Sequence, residues 1–124
     1  GAIPLVTDAE EHDYLVADIS HLPLLLSAAL VSMTTKSQSW AKMARLAATG
    51  YKDMTRLASG NPKVSADICL TNQAPILYWF DEFSKELGML RHLVASGKID
   101  LEKALAQASI ARESWLRKRE AEGR

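Results

Sequence analysis

Apolar side chains recur along most of this chain at alternating steps of four and three, the period of a helix buried on one side. The run Leu15, Ile19, Leu22, Leu26, Ala29, Met33 draws one stripe over about five helical turns. A second run, Ile76, Phe80, Phe83, Leu87, Leu90, Val94, draws another. No segment alternates with period two, and no Asn-Gly or Asp-Gly pair marks a hairpin. The pattern therefore predicts an all-α fold, a bundle of about five to six helices.

The boundaries follow from caps and breakers. Thr7 and Glu10 form a T-x-x-E capping box, so the first helix is expected after Thr7. Pro23 lies inside it and predicts a kink or break near Ile19–Pro23, because proline lacks an N–H and crowds the carbonyl four residues back. A second helix is expected from Gln38 to Ala48, capped by Ser37 or Ser39 and ended by Gly50. Asn61 as cap and Pro62 in first position start a third, running to about Thr71. Asn72 to Pro75 resets the chain, and the helix carrying the second stripe then ends at Gly97. Asp100 is expected to cap a last helix with Leu101, Ala104, Leu105, Ala108, Ala111 and Trp115 inward. The tail "RKREAEGR" is charged throughout and is expected to fray. The strict spacing of the two stripes fits either an internal bundle seam or a seam between two copies.

Between these helices lies "GYKDMTRLASGNP", residues 50–62, rich in polar chemistry. Gly50 reads as a turn with positive φ. Asp53 reads as a cap placing Thr55 and Arg56 in the first turn of a short helix. Free N–H groups there, with a guanidinium beside them, would receive a carboxylate. The plainer reading is a surface pair between Asp53 and Arg56.

Length and charge narrow the picture. The 124 residues fit one domain, and fifteen acidic residues offset fifteen basic ones. Zero net charge gives no support to a nucleic-acid or membrane-surface partner. The longest apolar run, "LPLLLSAALV", is half the roughly 20 residues needed to cross a bilayer. The single cysteine, Cys69, reads as a packed thiol in a reducing compartment. The opening "GAIPLV" has no methionine, no basic region and no cleavage pattern. Gly1 fits a residue left by tag removal, and a longer parent protein is expected.

Catalytic and nucleotide motifs are missing: there is no G-x-G-x-x-G, G-x-x-x-x-G-K-S/T, H-E-x-x-H or C-x-x-C. His12 and His21 are nine residues apart, on opposite faces of a straight helix, so no metal is expected. His21 shares its face with Ala17, Leu24 and Ala28, small neighbours that leave room for a pocket. The plainer reading is a histidine packed at a helix crossing with one hydrogen bond satisfied.

"EEHDYLVADISHLP", residues 10–23, followed by "GYKDMTRLASGNP", resembles the C-terminal helical domain of the prephenate and arogenate dehydrogenases of tyrosine biosynthesis. That family's pattern is H-D, then S-H-L-P-H, then G-F/Y-K/R-D-x-T-R-I/L-A-x-x-D/N-P. The downstream "ADICLTNQAPILYWFDEFSKELGMLRHLV" resembles its D-I-x-x-x-N segment and the long helix after it. The resemblance covers most of the chain, from about Thr7 to the last helix.

The resemblance implies a fold like the 6-phosphogluconate dehydrogenase C-terminal domain. It also implies an intimate homodimer in the cytoplasm and a prephenate or arogenate substrate. NAD or NADP would be bound by an N-terminal domain that also supplies the catalytic groups; no catalytic, cofactor or metal residue is expected here. Prephenate would be oxidatively decarboxylated to 4-hydroxyphenylpyruvate. Arg56 would hold the ring carboxylate, and Asp53 would orient Arg56 or join an ionic network gating the cleft. His21 and His12 match the family's first histidines. Leu24 stands where the family often has a second histidine after the proline, which leaves prephenate versus arogenate, and tyrosine feedback, open. The alternatives are an arogenate dehydrogenase domain of the same architecture, a β-hydroxy-acid dehydrogenase domain, and a non-enzymatic helical interaction module.

Overall fold

The computed structural model describes residues 8–123; Thr7 of the expected capping box lies outside them. Among the described residues there is no strand, as the periodicity predicts. The chain divides into two compact units, one spanning residues 8–80 and the other holding residues 81–123.

The first unit opens with α1 (Ala9–Val16), capped by the Asp8 carboxylate, which accepts from the Glu11 N–H at 2.7 Å. A π-turn (Ala17–His21) leads directly into α2 (Leu22–Thr35). The break expected at Ile19–Pro23 is thus a change of register rather than an interruption. The Leu22 N–H reaches back five residues to the Ala17 carbonyl, which widens the helix just where Pro23 donates nothing. Helix therefore runs unbroken from Ala9 to Thr35, with mean hydropathy 1.7 over an 18-residue window. By length and composition alone this stretch is sufficient to cross a membrane, which the sequence run did not suggest. A helix inside a folded domain meets the same measure, and Ala17, Leu22 and Ser27 are buried along this one.

Helix α3 (Trp40–Leu46) is shorter than expected at both ends. The Ser37 hydroxyl accepts from the Ser39 N–H, while Ser39 occupies the cap position without a side-chain bond. Gly50 does not end this helix. It lies within α4 (Thr49–Thr55), and among the described residues only Gly123 has φ in the left-handed region. A 3-10 turn (Arg56–Ser59) continues from α4. Helix α5 (Pro62–Thr71) begins as predicted, its Asn61 side chain accepting from the N–H groups of Lys63 and Val64. Asn72 separates α5 from α6 (Gln73–Ser96).

The second unit takes in the later part of α6 and α7 (Lys98–Ala121). Gly97, extended in backbone, holds the cap position of α7, so Asp100 lies in its first turn rather than at its cap. The acidic side chain still suits the positive end of the helix dipole. Helix persists through most of the expected frayed tail, to Ala121. Leu105, Ala108, Ala111 and Trp115 are exposed rather than inward, and Leu101 and Ala104 are half-buried.

Candidate functional site

The polar stretch 50–62 is helical, and its sidedness explains its composition. Tyr51, Thr55 and Ala58, spaced four and three, are half-buried, while Lys52, Asp53, Met54, Arg56 and Leu57 are exposed. Two side-chain bonds tie the inner face to α2. The Tyr51 phenol pairs with the Thr34 hydroxyl, and the Ala58 N–H donates to the Ser27 hydroxyl at 3.0 Å. Ser27 is only 2% exposed, so a polar atom otherwise costly to bury is satisfied by this bond. The Trp40 ring sits 6.1 Å from that of Tyr51 and flanks the same anchor.

This arrangement corrects the expected anion turn. Asp53 is inside α4 and caps nothing. Arg56 follows the end of α4, and its own N–H donates to the Asp53 carbonyl, so no free N–H is offered there. The Arg56 guanidinium makes no ion pair with Asp53 or any other described residue. It is an exposed cation on a stitched scaffold, available to an external anion.

His21 ends the π-turn, half-buried. Its Nδ1 lies 3.2 Å from the side-chain nitrogen of Asn72, a residue 7% exposed. The same Asn72 nitrogen donates to the Asp13 carbonyl at 2.9 Å. One residue on, the Trp79 indole N–H donates to the Tyr14 carbonyl at 3.0 Å. Two consecutive carbonyls ahead of the π-turn thus receive side-chain donors from around and beyond the α5–α6 junction, which fixes that register. Packing of His21 at a crossing with one bond satisfied matches the plainer expectation. Of the face expected to leave room beside it, Ala17 is buried, while Leu24 and Ala28 line the groove described below.

His12 is exposed, its Nδ1 3.7 Å from the neighbouring Asp13 carboxylate. No hydrogen bond or ion pair among the described residues joins any two of His12, His21, Asp53 and Arg56. Along α2, His21 lies six positions before Ser27, about 9 Å on an α-helical rise. No group of three metal-ligating side chains occurs among the described residues.

A separate groove of about 440 Å³ runs beside α2, lined by residues that include Leu24, Leu25, Leu57, Pro62, Cys69 and Leu70. Leu24 is therefore part of an apolar wall, and Cys69 borders this groove half-buried rather than fully packed. Asn72 and Ser27 are the buried, hydrogen-bonded polar positions that periodicity missed. Asn72 ends the D-I-x-x-x-N segment, where it reads only as a helix break. Ser27 was hidden inside "LPLLLSAALV" as one small polar residue.

Residues 8–107 match the family described as prephenate dehydrogenase, dimerization domain. Prephenate dehydrogenase of Bacillus subtilis (strain 168) is 41% identical over 86 residues, which is 68% of this chain and 23% of that protein. Cyclohexadienyl dehydrogenase of Zymomonas mobilis is 35% identical over 98 residues, 77% of this chain and 33% of that protein. The crystal structure of Synechocystis arogenate dehydrogenase superposes with a TM-score of 0.84 at 27% identity, covering 90% of this chain and 41% of that one. Prephenate dehydrogenase from A. aeolicus, in complex with hydroxyphenyl propionate and NAD+, gives 0.82 at 29% identity, over 92% of this chain and 41% of that one. The chain spans between about a quarter and a third of the length of these curated relatives. It belongs to the prephenate dehydrogenase dimerization-domain family.

Proposed function

We propose, from that membership, that this chain is the helical half of a prephenate- or arogenate-type dehydrogenase, joining two copies and closing over the substrate. Residues 1–124 are read as this one domain, with NAD or NADP held by an N-terminal domain of the parent protein. The observation that carries the reading is the family match over residues 8–107, which contains both H-D…S-H-L-P and D-x-T-R. In the reaction, hydride leaves the ring carbon bearing the hydroxyl, carbon dioxide departs and the ring becomes aromatic. This domain's part is to bind and orient. Arg56 presents an unpaired guanidinium to the substrate carboxylate, and His21 offers a ring nitrogen. Asp53 and His12, both exposed, would serve the rim of the cleft. The chain by itself lacks a dinucleotide motif and is expected to show no turnover.

The test joins this chain to its nucleotide-binding domain and compares prephenate with arogenate. Arg56→Ala is expected to lower kcat/KM by roughly 10²-fold, the scale of a lost charge-assisted contact. Unchanged kcat/KM would remove Arg56 from the site. Absence of turnover on either substrate by the joined protein would favour a non-enzymatic interaction module.

A further inference from the structure

His21 can meet a ligand as a donor or as a base, and which one it does depends on where its single neutral-state proton sits. The neighbourhood decides this. An amide side chain has one oxygen and one nitrogen, and their assignment follows from their partners. The Asp13 carbonyl can only accept, so the Asn72 atom 2.9 Å away is the nitrogen. That nitrogen carries two hydrogens; one serves Asp13, and the other points at His21 Nδ1 across 3.2 Å. The flipped amide would set two oxygens against each other at Asp13.

We infer that Asn72 is a positioning residue that holds His21 with its lone pair on Nδ1 and its proton on Nε2. His21 then presents an N–H to the ligand and is a hydrogen-bond donor, not a proton acceptor. Nε2 has no partner among the described residues and is not sealed from solvent, so it is free for this use. The backbone makes the same point. Asp13 O already accepts from the Ala17 N–H at the entrance to the π-turn, and Asn72 occupies its second lone pair. Asn72 thereby ties the ring's proton to the π-turn that aims the ring. The ligand group recognised is an oxygen acceptor, such as a carboxylate or carbonyl. This step rests on the proposed function only in taking that ligand to be the dehydrogenase substrate.

The test begins with nitrogen NMR of the histidine rings in this chain, at a pH well above the ordinary histidine range. His21 is expected to show a protonated Nε2 and a bare Nδ1. Asn72→Ala should relax this toward the mixture of free imidazole. Asn72→Asp, whose carboxylate can only accept, should move the proton to Nδ1. A protonated Nδ1 in the unaltered chain overturns the inference, and so does a spectrum unmoved by both substitutions. In the protein joined to its nucleotide domain, His21→Gln keeps a donor but no base and should stay within about tenfold of the parent kcat/KM, while His21→Ala should lose roughly 10²-fold. Equal loss in the two His21 variants would also overturn it. The ring spectrum needs no turnover, so an inactive joined protein would count against the proposed function and leave the tautomer assignment standing or falling by itself.

Discussion

Residues 8–80 and residues 81–123 solve opposite halves of the burial problem. Among the described residues, all five buried ones, Ala17, Leu22, Ser27, Asn72 and Ile76, lie in the first unit, and two of the five are polar. Its elements are joined by side-chain hydrogen bonds that span long stretches of sequence: Ser27 to Ala58, Thr34 to Tyr51, Asn72 to Asp13 and His21, Trp79 to Tyr14. Residues 81–123 include no buried residue, yet expose Leu87, Met89, Val94, Ile99, Leu105, Ile110 and Trp115. Exposed apolar side chains in this number, where they are contiguous, mark an interaction surface. The difference teaches that the first unit is held by polar stitching, while the second leaves apolar side chains uncovered. In the proposed function a second copy covers them.

The largest effect should come from placing a charge on the bare stripe. Leu87 is half exposed in one chain and lies in the middle of the second sequence stripe. Leu87→Glu would bury a carboxylate without a partner in a paired seam, at several kcal/mol, which is a loss of roughly 10²-fold or more in association. By light scattering at micromolar concentration the parent should run at twice 13.6 kDa and the variant at 13.6 kDa. A parent already running as a monomer would return the stripe to an internal role. Because association stabilises the folded form by mass action, only the parent's melting temperature should rise with concentration.

A smaller effect is expected from the stitched unit. Ser27→Ala removes the acceptor for the Ala58 N–H and leaves that part-buried donor unpaired, costing about 1–3 kcal/mol. The loss should be seen in thermal melts at any concentration, which separates it from Leu87→Glu. In the joined enzyme it should raise KM more than it lowers kcat, since the 3-10 turn that begins with Arg56 would be less firmly held. A melt within experimental error of the parent would show that the turn is held by packing alone.

How far these regions were legible in sequence follows from the range of the forces involved. The α5 start was readable because Asn61 and Pro62 act on their own backbone within three residues. The stripes were readable because helical period is local. The π-turn was only half readable: Pro23 announces a disturbance, but whether the helix breaks or widens depends on donors from Asn72 and Trp79, more than fifty positions away. The same holds for "GYKDMTRLASGNP". Its glycine and aspartate favour a turn locally, and the long-range anchors on Tyr51 and Ala58 accompany a helix instead. Of the candidate site residues, Arg56 and His21 were visible as motif members. Asn72 was not singled out, because an asparagine between two helices already has an adequate local reason to be there.

Gly50 gives the finest test of that point. It sits in α4 with helical neighbours, and a Cβ added there would meet nothing within 4 Å. As a structural residue it is a liability, since glycine loses more backbone freedom on folding than alanine. Gly50→Ala should therefore stabilise the chain by about 0.5 kcal/mol, a rise of a few degrees in melting temperature. The open space beyond its Cα is on the exposed side of the segment that carries Asp53 and Arg56. If a ligand bound by Arg56 comes close to this backbone, the same substitution should weaken substrate binding in the joined enzyme while it strengthens the fold. A stabilised variant with unchanged KM would mean that the glycine marks no close approach, and a destabilised one that α4 is less regular at Gly50 than its backbone indicates.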